Sequence, residues 1–147
     1  MSNIIAFLQL RFIPRNAHLA LLALRLWLGL SMLLLHGLTK FKTFSELSAK
    51  FPDPLGVGHQ ASLALAVFAE AGCSVLIILG LFTRLAALSL ALSMGVAFFL
   101  VHNATLTGDK NGELAFIYLA GCVTLLFAGG GVFSLDSAAH EPPLKTK

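Results

Sequence analysis

Two ionic residues, Arg25 and Glu70, lie inside long apolar runs of this chain. Arg25 lies in HLALLALRLWLGLSMLLLHGLTK and Glu70 lies in QASLALAVFAEAGCSVLIILGL. An unpaired charge in hydrocarbon costs about 3 kcal/mol or more, so such residues tend to face one another or a polar cavity. Helical rise places the two residues within about 5 Å of the same depth in a membrane. An Arg25–Glu70 ion pair is therefore feasible, either within a functional site or as a pair that only fixes helix register.

A second group of polar residues falls at one end of the predicted helices. The group consists of His36, Lys40, His102, Asn103, Glu113 and Tyr118. Histidine titrates near neutral pH, and lysine with histidine can hold a negatively charged oxygen. We predict His36, Lys40, His102 and Glu113 as catalytic candidates that exchange protons with a quinone or a small anion. Arg25, Glu70, Asn103 and Tyr118 are the candidates for cofactor binding. The alternative for each residue is an interfacial side chain that touches lipid headgroups.

Other chemistries receive little support from the sequence. His36 and His102 with one carboxylate are a weak metal signal, so we predict no metal and no haem. The three glycines at 129–131 follow a helix rather than a strand, which argues against a nucleotide loop. Ser134 and Asp136 are expected to form a turn or a helix cap. Cys73 and Cys122 are expected to be small buried residues, and a redox pair is left open.

The composition is typical of a membrane protein. Hydrophobic residues make up 57% of the 147 residues and charged residues only 12%, whereas soluble domains average about 25% charged residues. The mean hydropathy is +0.86. We predict an all-α fold, an integral membrane four-helix bundle. Its predicted spans are residues 18–39, 60–81, 85–101 and 113–128. The net charge is +3 without a basic stripe, so nucleic acid is not an expected partner.

The chain divides into three predicted parts. Residues 1–17 form a short amphipathic segment that lies at the membrane interface and is broken by Pro14. Residues 18–137 form the transmembrane domain, and residues 138–147 form a mobile tail. We expect the first span to be retained rather than cleaved as a signal peptide. The basic residues near the span ends place both termini in the cytoplasm.

The motifs of this chain resemble those of the DoxX family of small four-helix membrane proteins. The matching pieces are RLWLG at 25–29, HGLTK at 36–40, AEAG around Glu70, GLFTR at 80–84, Glu113, and GGGVFSLD at 129–136. The closing motif of the family more often has proline between glycines, where this chain has Gly130. The resemblance implies a membrane protein linked to redox metabolism. Named members are subunits of terminal quinol oxidase and thiosulfate:quinone oxidoreductase complexes.

Three functional hypotheses remain open at this point. The first is an inner-membrane subunit of a quinone-linked oxidoreductase, including one that oxidises reduced sulfur compounds with a soluble or membrane redox partner. The second is a non-catalytic anchor or assembly scaffold for soluble redox or biosynthetic proteins. The third is a small-molecule or proton-coupled carrier. Small residues at four-residue spacing on the third span could pack within the bundle or against a second copy, and we expect a homodimer.

Overall fold

Helices form the regular structure of the described part of the chain. The computed structural model describes residues 2–139, with side chains from residue 4 onward, and contains no strand in that range. The prediction of an all-α fold is therefore confirmed. The helices are α1 Ser2–Leu8, α2 Ala17–Lys42, α3 Phe44–Leu47, α4 His59–Leu79, α5 Thr83–Val101, α6 Glu113–Ala128 and α7 Leu135–Ala138.

Three of these helices, α2, α4 and α5, are long and apolar enough to cross a membrane. Their ends lie within three residues of the predicted span ends. Helix α6 has the predicted bounds, but its 16 residues extend over only about 24 Å. The hydrocarbon core of a bilayer is about 30 Å thick. The structure thus supports three helices of spanning length, with a shorter fourth apolar helix.

Each of the three long helices contains a π-helical segment, which the sequence analysis did not anticipate. The segments are Leu33–Gly37 in α2, Phe68–Cys73 in α4 and Ala97–Val101 in α5. Such segments are rare, and they occur frequently at functional sites. Glu70 lies within the π-helical segment of α4.

The core lies where the long helices meet α6. Fully buried side chains include Met32 on α2, Ile77 on α4, Leu90 on α5 and Leu125 on α6. Helices α2 and α4 approach closely at Gly37, since a Cβ atom there would lie 2.6 Å from the backbone oxygen of Glu70. This close approach fixes the relative position of α2 and α4 near Glu70.

The start of α2 and the end of α4 are defined by local chemistry. Asn16 caps α2, because its side chain accepts a hydrogen bond from the backbone N–H of Leu19 at 3.0 Å. Gly80 ends α4 in the left-handed conformation at φ +70°, which glycine adopts without steric cost. The predicted GLFTR turn therefore lies between α4 and α5.

Two short helices lie outside the four long apolar helices, one near each end of the described residues. Helix α1 and the turn after it expose apolar side chains, among them Ile4, Phe7, Leu8 and Phe12. Their position at a membrane interface stays a prediction. Helix α7 ends at Ala138, the first residue of the predicted tail, and residues 140–147 of that tail lie outside the described residues.

Candidate functional site

An ion pair joins α2 and α4 inside the bundle. Lys40 Nζ lies 2.5 Å from Glu70 Oε2, and the exposed fractions of the two side chains are 24% and 7%. Helical side chains lean toward the N-terminus of their helix, so Lys40 extends from the end of α2 back into the bundle. Glu70 lies beside the backbone contact that Gly37 permits. The carboxylate of Glu70 is thus paired with a cation on the neighbouring helix.

The Lys40–Glu70 pair lies on the wall of a cavity of about 550 Å³. The cavity is bordered by α4, α5 and the loop that follows α3. Most of its lining is apolar, including Leu65, Phe68 and Leu92. Its polar lining consists of Lys40, Glu70, His102, Ser62, Ser89 and Ser93. The cavity therefore combines a large apolar volume with one ion pair and one imidazole.

The loop between α3 and α4 covers one end of this cavity with Phe51, Pro52, Pro54 and Leu55. We call residues 51–58 the roof loop. Asp53 holds the roof loop to the start of α4. Its carboxylate accepts hydrogen bonds from Ser62 Oγ at 2.7 Å and from the backbone N–H groups of Val57 and Gly58 at 3.0 and 2.8 Å.

The same contacts affect the ionisation of Asp53. The hydrogen bond from Ser62 and those from the two backbone N–H groups hold the pKa of the Asp53 carboxyl below its usual value. Each of these bonds favours the charged form, because a carboxylate accepts them better than a neutral acid does. The roof loop is therefore most firmly attached when Asp53 is ionised.

Arg25 lies at the other end of the bundle, and the expected Arg25–Glu70 ion pair is wrong. Arg25 is fully buried, and its Nη2 donates a hydrogen bond to the backbone oxygen of Phe133 at 2.5 Å. Its guanidinium packs against Gly80 so closely that a Cβ atom there would lie 1.7 Å from Nη1. Gly80 follows Glu70 by 10 residues on α4, or about 15 Å of helical rise. This separation is too large for an arginine side chain to bridge when it is already bonded to Phe133.

Asp136 completes the arrangement around Arg25. Its carboxylate accepts hydrogen bonds from the backbone N–H groups of Phe82 and Thr83 at 2.7 and 2.9 Å. It thereby caps the N-terminus of α5 from a segment that follows α6. Ser134 caps α7 by accepting a hydrogen bond from the backbone N–H of Ser137 at 3.2 Å. The prediction that Ser134 and Asp136 form a turn or cap is confirmed.

The charge of Asp136 is favoured by its surroundings. Burial disfavours the charged form and would raise the pKa of this carboxyl. The nearby Thr83 side chain, the hydrogen bonds from the backbone N–H groups of Thr83 and Phe82, and the charge of Arg25 outweigh burial and leave the pKa below its usual value. We call Arg25, Gly80, Phe133 and Asp136 the arginine cluster. Its link to the segment after α6 was missed by the sequence analysis, although the GGGVFSLD motif contains both Phe133 and Asp136.

The remaining candidates divide between the cavity and the surface. His102 lines the cavity with Lys40 and Glu70. His36 is close enough to Lys40 and Glu70 to be affected by both charges, and its ring meets that of Tyr118 edge-on at 5.7 Å. Asn103 and Glu113 are exposed and do not line the cavity.

His36 has one further feature. Its Nε2 atom is buried and makes no hydrogen bond within the described part of the chain. No group of three or more His, Cys, Asp or Glu side chains among residues 4–139 could hold a metal ion. Cys73 and Cys122 are both buried and carry free thiols.

The comparisons with known proteins place the chain in a family. The DoxX family profile matches residues 20–103, which is more than half of the chain. The chain belongs to the DoxX family. An uncharacterized protein of Haemophilus influenzae is 35% identical over 115 residues, which cover 72% of this chain and 81% of that protein. No solved structure matches the chain.

The matched DoxX region contains the residues that meet at the cavity, namely Lys40, Glu70 and His102. Lys40 can donate hydrogen bonds, the carboxylate of Glu70 can accept a proton, and the imidazole of His102 can do either. The apolar lining disfavours highly charged ligands, because burying a charge against apolar side chains is costly. In this DoxX protein the cavity is therefore suited to a largely apolar molecule with a polar group that accepts hydrogen bonds.

Proposed function

We propose that this DoxX protein is the membrane subunit of a quinone-linked oxidoreductase and that its cavity binds the quinone. The observation that carries the proposal is the Lys40–Glu70 ion pair on the wall of a largely apolar cavity of about 550 Å³. Ligand pockets of about 300–1,000 Å³ with mostly apolar lining and a few placed polar groups are typical of small-molecule sites. A quinone ring with two carbonyl oxygens matches this combination of surfaces.

The residues of the cavity would have distinct roles. Lys40 donates a hydrogen bond to a ring oxygen of the quinone, and its positive charge stabilises negative charge on that oxygen. Glu70 and His102 accept and deliver the protons that accompany reduction or oxidation of the ring. The bound quinone supplies two-electron redox chemistry, and a partner subunit supplies the electron donor, for which a reduced sulfur compound is a candidate.

The proposal includes the setting of the protein. We propose that α6 acts as the fourth membrane element with α2, α4 and α5, that the bundle lies in the inner membrane, and that both termini are cytoplasmic. Packing of α6 against α5 and α2 supports this arrangement, since Leu125 and Cys122 on α6 are fully buried. The shorter length of α6 is compatible with a locally thinned bilayer.

The proposal predicts retention of quinone by the purified protein. Quinone extracted from the wild-type protein should be stoichiometric, and added quinone should raise the thermal unfolding temperature by mass action. Glu70→Gln and Lys40→Met should each weaken quinone binding by about tenfold or more, because each removes one partner of the polar wall. Glu46→Gln and Lys42→Met are the matched controls, since both residues are exposed and do not line the cavity.

A second candidate function, an anchor or assembly scaffold, is favoured by the position of the ion pair. Lys40 and Glu70 join α2 and α4 at the point where Gly37 brings their backbones together, so the pair could serve helix register alone. On that hypothesis Glu70→Gln lowers both the thermal unfolding temperature and the amount of partner captured. Added quinone then changes the unfolding temperature of neither the wild type nor the variant. Absence of quinone after extraction together with no quinone-induced thermal shift would count against the oxidoreductase and favour the scaffold.

A further inference from the structure

We infer that the quinone enters the cavity sideways from the bilayer, through an opening between α4 and α5, and keeps a long apolar tail in that opening. This inference rests on the proposed function and adds the class of quinone to it. A quinone without a tail would fit the polar wall but would make no use of the opening.

The cavity follows the groove between two neighbouring helices. Its lining on α4 includes Ser62, Ala66 and Ala69, which recur at the spacing of one helix face, and its lining on α5 includes Ser89 and Ser93 at the same spacing. These side chains are small. The facing surfaces of α4 and α5 therefore leave a groove where larger residues would close it.

The outer edge of the groove is formed by large apolar side chains. Leu65, Phe68 and Leu92 line the cavity, and each is more than half exposed. Because they line the cavity and are exposed on helices of spanning length, these residues mark an opening toward lipid, whereas Leu55, which also lines the cavity and is exposed, lies on the roof loop. We call these three residues the mouth.

The mouth lies near the middle of two helices of spanning length. Leu92 is nine residues from each end of α5, or about 14 Å of helical rise. Phe68 is nine residues after the start of α4, which again corresponds to about 14 Å. Hydrocarbon extends about 15 Å to either side of the bilayer centre, so the mouth faces lipid tails.

The roof loop covers the cavity on another side. Phe51 and Leu55 line the cavity there. Asp53 fastens the loop to α4 through Ser62 and holds the end of the loop through two of the loop's own backbone N–H groups. A ligand that came from water on that side would have to pass this loop. A ligand dissolved in the bilayer reaches the mouth without breaking a hydrogen bond.

The test compares a benzoquinone carrying a decyl tail with the same ring lacking a tail, both bound to the protein in lipid nanodiscs and measured by equilibrium dialysis. Leu92→Trp narrows the mouth and should weaken binding of the tailed quinone by about tenfold or more. Binding of the tail-less ring should change by less than about twofold. Leu85→Trp is the matched control, because Leu85 lies on the same helix with 64% exposure against 63% for Leu92 and does not line the cavity.

The possible outcomes separate this inference from the proposed function. Equal effects of Leu92→Trp on both probes, or no effect on either, would show that the tail does not lie in the mouth, which overturns this inference while leaving quinone binding in place. Failure of the wild-type protein to bind either probe would overturn the proposed function and this inference with it. Leu65→Trp narrows the mouth from α4 and replaces Leu92→Trp if that variant does not fold.

Discussion

Arg25 and Lys40 are two cations on the same helix, and their surroundings are opposite in kind. Arg25 is fully buried and is enclosed by the backbone oxygen of Phe133 and by Gly80. Lys40 is paired with Glu70 beside a cavity of about 550 Å³. The guanidinium is tightly enclosed, and its Nε and Nη1 atoms make no hydrogen bond within the described part of the chain, whereas the ion pair has free space next to it.

The comparison shows that a charge inside an apolar helix does not by itself identify a binding site. Intramembrane charges are costly and are usually retained for a reason, but the reason differs between the two ends of α2. The arginine cluster connects α2 with the α4–α5 turn and with the segment after α6. The free volume beside Lys40 and Glu70 is what favours ligand binding at the other end.

The largest effect is expected from closing the space around Arg25. In Gly80→Ala the new Cβ atom would lie 1.7 Å from Arg25 Nη1 and 2.6 Å from Ser134 Cβ, at a backbone φ of +70°. Overpacking and left-handed strain together should lower the free energy of unfolding by about 3 kcal/mol or more. Thermal or denaturant unfolding in detergent measures this loss.

Gly95→Ala provides the control for Gly80→Ala. A Cβ atom at Gly95 would meet nothing within 4 Å, and alanine is a better helix former than glycine by about 1 kcal/mol. This variant should be as stable as the wild type or more stable. Equal stability of Gly80→Ala and Gly95→Ala would show that the arginine cluster is not tightly packed.

A smaller loss is expected when the guanidinium is removed. Arg25→Met removes the hydrogen bond to the backbone oxygen of Phe133 and a buried positive charge, which should cost about 3 kcal/mol or somewhat less. Arg84→Met removes a comparable hydrogen bond, from Arg84 Nε to the backbone oxygen of Leu126 at 2.9 Å, at an exposed position. That variant should cost less than about 1 kcal/mol.

Quinone binding should depend on one end of α2 and not on the other. The folded fraction of Arg25→Met should bind quinone as the wild type does, because the arginine cluster lies about 15 Å of helical rise from Glu70. Dialysis against quinone in nanodiscs measures this directly. Loss of binding without loss of stability would mean that the two ends of α2 act together.

The smallest effect concerns pH and the roof loop. Because the pKa of Asp53 is lowered in the folded protein, its ionisation stabilises the loop above the ordinary carboxyl pKa of 3.8. This stabilisation should disappear as the pH falls through the lowered value. Hydrogen exchange at the amides of Val57 and Gly58, corrected for the intrinsic exchange rate, should show protection that declines in this acidic range.

Asp53→Asn is the control for the pH effect, since an amide does not titrate there. Its corrected protection should be lower than that of the wild type near neutral pH and should show no comparable decline in acid. Identical pH profiles for the two proteins would mean that Ser62, Val57 and Gly58 do not depend on the charge of Asp53.

Much of the fold could be predicted from the sequence because each helix is a local pattern. Uninterrupted apolar runs fix helix existence and length, and Gly80 marks the turn after α4 through its positive φ. The four predicted apolar helices therefore agree closely with α2, α4, α5 and α6. The positions of these helices relative to the bilayer are not set by these local patterns.

The site was harder to predict from the sequence, because the residues that contact one another there are far apart in the chain. Depth arguments placed Arg25 near Glu70, but they gave no weight to Lys40, whose long side chain reaches back along α2. The partner of Arg25 is the backbone of Phe133, 108 residues away, in a segment that could be recognised only as a turn. The sequence places Glu113 and Asn103 at the same end of the helices as His102, yet tertiary packing leaves both at the surface.

The π-helical segment Phe68–Cys73 separates two halves of α4 that contact different parts of the molecule. One extra residue in a turn rotates everything beyond it by about 100° relative to an uninterrupted α-helix. The residues of α4 that line the cavity all lie at or before Glu70, whereas Ile77 and Gly80 beyond the segment pack elsewhere. This rotation makes the orientations of the two halves of α4 independent of each other. Substitutions in one half therefore need not change the direction in which the side chains of the other half point.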